Sequence, residues 1–160
     1  MNKKILSFLC VCCSLSAQTK QEYQEYIQLE EGKRNYVYRD IFGNKTIGIG
    51  HKLKNGENFH YIDDNVVNSL FAVDFEIAKS DAQKLISNFN EHPKEIKITI
   101  VSMTYNLGYN RFFGFKKFRA AIEMKDYNAA AFEILNSKWA KQLPQRAHRT
   151  VKILKKYSHE

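Results

Sequence analysis

Two carboxyls and a hydroxyl lie within one short stretch of this 160-residue chain, EGKRNYVYRDIFGNKTIGIGH, which runs from Glu31 to His51. Glu31 falls at the end of a helical pattern in which Tyr23, Tyr26, Ile27 and Glu30 share a face, and Gly32 stands where the C-terminal cap belongs. The unsatisfied carbonyls of a helix end disfavour a carboxylate, and a protonated carboxyl is what a general acid needs to give a proton to a glycosidic oxygen. Asp40 stands at the turn that follows an alternating segment, Arg34 to Arg39. Thr46 lies on the return segment, Lys45 to Ile49, with Gly43 and Asn44 supplying the turn chemistry. Such a hairpin can bring Asp40 and Thr46 opposite the helix end that carries Glu31. Two carboxyls facing one cleft is an arrangement that hydrolyses glycosidic bonds. A plain turn Asp and a plain strand Thr are the alternatives, and spacing alone does not exclude them.

The elements that must position these residues are mostly helical. Beyond the hairpin, Asn55 and Gly56 mark a loop, and Asp63 or Asp64 is suited to cap the next helix. Val67, Leu70, Phe71, Ile77, Ala78, Ala82, Leu85 and Ile86 lie on or near one stripe, so a long helix or two in tandem should follow. Asp74 interrupts that stripe. A carboxylate so placed is costly without a donor, and His51 is the natural candidate. Glu95 to Tyr105 is ambiguous: Ile96, Ile98 and Ile100 alternate like a strand, yet Pro93 could open a helix and Gly108 could close it. Helical spacing then recurs in Phe115 to Met124, in Tyr127 to Trp139, and after Pro144. Arg146 and Arg149, three apart, share a face of that last helix, which surface solvation ordinarily explains.

Composition narrows the class further. With 44% hydrophobic residues, 13% aromatic residues and two prolines, the chain is one globular domain, neither a disordered tail nor a fibre. No stretch approaches the roughly 20 apolar residues that span a bilayer. At the N-terminus, Lys3 and Lys4 precede an uncharged run from Ile5 to Leu15 that ends in Ser14, Ser16 and Ala17, the pattern of a secretory signal over residues 1–17. Cys10, Cys12 and Cys13 all lie inside it, so a mature chain starting near Gln18 has no cysteine for disulfides, thiol catalysis or a zinc site. None of the three follows the small residue that lipid attachment wants, so no stable membrane anchor is expected. The net charge of +8 is spread along the chain and suits an anionic partner. An export signal favours a wall polymer over nucleic acid.

The Glu31 to His51 stretch resembles the active-site signature of the bacteriophage-type lysozymes, muramidases of glycoside hydrolase family 24. The matching residues are Glu31, Gly32, Tyr38, Asp40, Gly43, Thr46, Ile47, Gly48, Gly50 and His51. With each position matching by chance about once in twenty, coincidence is negligible. YNLG at Tyr105 to Gly108, Gly114 with Phe115, and the run from Trp139 through Pro144 to Arg146 and Arg149 follow in the family's order. The span between His51 and Met103 is shorter than in the T-even phage enzyme.

The resemblance implies an α+β, mostly helical lysozyme-like fold over residues 18–160. It has a small hairpin lobe at about 33–65 and a larger helical lobe at about 80–160 that includes the N-terminal helix, with a cleft between the two. It further implies Glu31 as the acid, Asp40 and Thr46 holding the attacking water, and inversion at the anomeric carbon. Arg146 would enter the cleft and pair with Glu31, with Asn106, Gly50 and Trp139 supporting it, and His51 and Asp74 would form a buried structural ion pair. No metal or cofactor is expected, and the enzyme would act on peptidoglycan as a secreted or periplasmic monomer. Two other classes compete: a lytic transglycosylase, which needs only the Glu, and a cationic wall-binding protein without turnover. The joint presence of Glu31, Asp40 and Thr46 counts against both.

Overall fold

The computed structural model describes residues 21–40 and 43–158; the stretch read as an export signal lies outside the described residues. The fold is α+β. Helix α1 is helical through residues 21–31 and stops at Gly32, which adopts a positive φ while its N–H bonds the Gln28 carbonyl at 2.8 Å. An antiparallel sheet follows in the order β1 (Arg34–Arg39), β2 (Lys45–Gly48), β3 (His51–Lys52). The return strand was expected to reach Ile49, but it ends at Gly48. Gly48 and Gly50 take φ of +67° and +78°, so the chain turns there into a third strand that alternation over two residues could not announce. The β1–β2 pairing shifts register between Arg34 and Tyr38, and on the other edge of β1 the Val37 N–H donates to the His60 carbonyl and the Ile62 N–H to the Asn35 carbonyl.

Helix α2 (Asp64–Leu85) is one helix and not two, about 33 Å long at 1.5 Å per residue. Asp63 caps it, its Oδ1 accepting from the Val66 N–H at 3.0 Å, an interaction of about 1 kcal/mol. Val67, Phe71, Phe75, Ala78, Ala82 and Leu85 form its buried face. Ile77, counted on that stripe from sequence, is 50% exposed, because six positions from Phe71 it has rotated well off the face. The helix packs on β2 and β3 at one end and on helices α3 (Lys94–Leu107) and α4 (Tyr109–Phe113) farther along.

The ambiguous segment is α3. Its alternating Ile96, Ile98 and Ile100 are all buried because α2, α4 and α8 (Pro144–Lys156) enclose the helix from several sides. The remaining helices are α5 (Lys116–Glu123), α6 (Tyr127–Leu135) and α7 (Lys138–Gln142). The run expected to be continuous from Tyr127 to Trp139 breaks after Leu135, where Ser137 turns out to cap α7 through its Oγ and the Ala140 N–H at 3.0 Å. Pro144 opens α8 as its type suits. One apolar core, with Phe71, Met103, Phe112 and Phe118 among its largest members, runs through all these helices.

Candidate active site

A cleft of about 260 Å³ separates the end of α1 from the sheet and is floored by α3 and α8; Glu31, Asp40, Thr46, Gly50, Asn106 and Arg146 all line it. Helix termination puts Glu31 there, since it is the last residue of α1 before Gly32 turns the chain. Its Oε1 accepts two hydrogen bonds, from Arg146 Nη1 at 2.6 Å and from Asn106 Nδ2 at 3.2 Å. Arg146 is buried, and its Nη2 is held in turn by the Ser102 carbonyl at 3.1 Å and the Ser102 hydroxyl at 2.9 Å. Asn106 accepts from the Trp139 indole N–H at 3.0 Å through Oδ1. Glu31 Oε2 lies against Gly50, 3.4 Å from where a Cβ on that glycine would sit.

Asp40 and Thr46 face this carboxyl from the hairpin. Asp40 Oδ1 accepts the Asn44 N–H and Oδ2 the Asn44 side-chain amide, both at 2.8 Å, so the turn that reverses the chain also orients the carboxylate. Lys52 Nζ is 3.8 Å from Oδ2. Thr46 is buried, and its hydroxyl donates to the Asn44 carbonyl at 3.1 Å, which leaves the oxygen's lone pairs as acceptors. Tyr38 lines the same space, its phenol pushed above the ordinary value, first by burial and then by the Glu31 carboxylate. Among the described residues no cluster of His, Cys, Asp or Glu could hold a metal ion.

The family model for phage lysozyme matches residues 28–156, which includes every one of these side chains. The chain belongs to the phage lysozyme family. Two Dictyostelium discoideum proteins, Probable T4-type lysozyme 2 and Probable T4-type lysozyme 1, are similar to it at 28% and 26% identity. Those alignments cover 81% and 82% of this chain and 91% and 92% of theirs. This phage-type lysozyme is therefore a glycoside hydrolase.

The His51 and Asp74 contact is present in the lysozyme at 2.6 Å between Nδ1 and Oδ2. It is less enclosed than expected, because His51 is buried while the Asp74 side chain remains 20% exposed. A second carboxylate, unforeseen, meets the other ring nitrogen: Glu57 Oε2 lies 3.0 Å from Nε2 and also accepts the Lys54 N–H at 2.8 Å. With an acceptor at each nitrogen the imidazolium is favoured. The His51 pKa is raised chiefly by the bond to Asp74, against burial and with help from Glu57. Glu57 is held below the usual carboxylate range, first by the Lys54 N–H and then by His51.

Sequence reasoning also missed the ion pair behind the cleft. The Glu30 side chain is fully buried and receives two bonds from Arg149, Nε and Nη2 each at 2.7 Å, with Arg146 Nε 3.7 Å away. Arg149 had surface solvation as its ordinary explanation, and no local spacing signals a partner 119 residues away. Tyr105 is a further omission: its hydroxyl donates to the Ile49 carbonyl at 2.6 Å and ties α3 to the turn between β2 and β3. A glutamate on the apolar side of α1, next to buried Ile27, was the available sign for Glu30.

Proposed function

We propose that this lysozyme hydrolyses the β-1,4 bond between N-acetylmuramic acid and N-acetylglucosamine in bacterial peptidoglycan, that it inverts the anomeric carbon, and that it works outside the cytoplasm as a monomer. The observation that carries the reading is the division of labour on Glu31. Both of its donors, Arg146 and Asn106, fall on Oε1, so the proton of the acid form sits on Oε2, the oxygen beside Gly50 and the cleft. Glu31 then protonates the glycosidic oxygen as the bond breaks. Asp40 and the Thr46 oxygen are both acceptors. A water that gives one hydrogen to each keeps a lone pair for the anomeric carbon, and the proton it loses passes to Asp40.

Early-time proton NMR of cleaved peptidoglycan glycan, with mass analysis of the fragments, tests the mechanism. Inversion requires the α-anomer of a reducing N-acetylmuramic acid as first product. A first-formed β-anomer would mean retention, and 1,6-anhydro ends would make the protein a transglycosylase. Glu31→Gln should lower turnover by about 10²-fold or more with the fold intact; undiminished turnover would remove Glu31 from the chemistry. Export is supported by the charged, apolar and small-residue segments of residues 1–17. Intact mass and thiol titration of protein recovered outside the cytoplasm should find a start near Gln18 and no thiol. Retention of Cys10, Cys12 or Cys13 would sink that part of the reading.

A further inference from the structure

The sheet wall of the cleft carries more positive charge than its carboxylate balances. Tyr38 pairs with Thr46 across β1 and β2, and Thr46 with Lys52 across β2 and β3. Directly opposite residues on neighbouring strands share a face, and all three side chains line the cleft. Lys52 also lines an adjoining cavity of about 200 Å³ that continues toward α2, so its side chain stands where the two spaces meet. It is 47% exposed, and among the described residues its one carboxylate contact is the 3.8 Å approach to Asp40. Asp40 is already oriented by two 2.8 Å bonds from Asn44, so the turn holds it without the lysine.

The other cations of that wall are similarly placed. Arg34 stacks on the Tyr38 ring with its guanidinium carbon 4.4 Å from the centroid, and Arg39 donates to the Gly43 carbonyl at 2.7 Å. Among the described residues neither is ion-paired. Across the cleft the balance is closed, because Glu31 takes Arg146 and Glu30 takes Arg149. In the adjoining cavity Asp74 is engaged by His51, and Asp81 lies 3.5 Å from Lys84. A neutral amino-sugar polymer has no use for a wall of three cations and one carboxylate.

Resting on the muramidase reading above, we propose that Lys52, flanked by Arg34 and Arg39, forms a carboxylate subsite, and that the cleft selects glycan whose muramic acid carries a free carboxylate. That group is either the lactyl carboxylate of a peptide-free strand or an acidic residue of an attached stem peptide. Lys52 binds it as a point charge and so contributes to substrate choice, not to bond cleavage.

The test compares kcat/KM on four glycans: peptide-free strands with lactyl carboxylates free or converted to methylamides, and stem-bearing strands with stem carboxylates free or converted likewise. The wild type should favour a free-carboxylate form over its amide by at least about threefold at low salt, narrowing as salt screens the pair. Whichever amidation lowers the rate identifies the source of the carboxylate. Lys52→Met should bring that ratio close to one, and Lys52→Arg should retain it. A wild-type ratio near one in both pairs of substrates would overturn the assignment. So would a Lys52→Met enzyme slowed equally on free and amidated strands, which would make Lys52 a support for Asp40. Failure of the wild type to release reducing ends from any of the four would strike at the muramidase reading, a distinguishable result.

Discussion

Trp139 decides which way Asn106 faces. The indole N–H donates to the amide oxygen at 3.0 Å, so the amide nitrogen is the atom presented to Glu31. Trp139→Phe keeps an apolar ring but removes that donor. We expect a loss of about 1–3 kcal/mol in stability, from the lost bond and the smaller ring, together with a fall in kcat larger than any change in KM. Urea denaturation and steady-state kinetics on soluble glycan check both. An unchanged kcat would mean that the orientation of Asn106 has no bearing on Glu31.

The triad of His51, Asp74 and Glu57 predicts a specific pH dependence. His51 has a raised folded pKa, so the stability it contributes is complete below the unfolded value of about 6.5 and is lost as pH rises through the folded value. Glu57 has a lowered one, so its contribution is complete above about 4.3 and is lost as pH falls through the folded value. The triad therefore stabilises most between these limits. Asp74→Asn should cost about 1–3 kcal/mol at pH 6, less than the loss of a fully buried pair because Glu57 stays on the ring, and the gap to wild type should shrink as pH rises past the folded His51 value. A difference within about 0.5 kcal/mol, ordinary for a surface site, would show that the contact carries no weight.

The pair behind the cleft should respond unequally to loss of either member. Arg149 is 40% exposed and can turn to water, whereas the Glu30 side chain is fully buried and cannot. Arg149→Met leaves a buried carboxylate with only the distant Arg146 Nε and should cost about 3 kcal/mol; Glu30→Gln should cost distinctly less. Thermal unfolding of the two variants compares them directly, and equal costs would contradict the asymmetry.

Gly50 is the place where backbone freedom and close approach coincide. Its φ is +78°, and a Cβ there would meet Glu31 Cγ at 3.3 Å and Tyr105 Cε1 at 3.4 Å. Gly50→Ala should cost about 1–3 kcal/mol through the left-handed conformation alone. It should also lower activity by displacing the Glu31 side chain. Full activity with normal stability would show that the turn relaxes without moving Glu31.

Much of this lysozyme was legible in its sequence, for local reasons. Gly32, Asp63 and Pro144 act within one turn of where they stand, and helix faces repeat at 3.6 residues, so the C-terminal end of α1 and the starts of α2 and α8 follow from residue type. Glu31, Asp40 and Thr46 could be singled out because they fall within one short stretch that resembles the family signature, although cap and turn chemistry alone left plain turn and strand readings open for Asp40 and Thr46. Tertiary structure decided the rest. Alternation in α3 could not be read as helix until neighbours on several sides explained why Ile96, Ile98 and Ile100 are all buried. The Glu30 to Arg149 pair, the second carboxylate on His51 and the Trp139 to Asn106 to Glu31 relay join residues whose elements meet only when the core closes. A hydrogen bond or ion pair depends on a few ångströms of separation and leaves no periodic trace along the chain, whereas caps, turns and buried faces do.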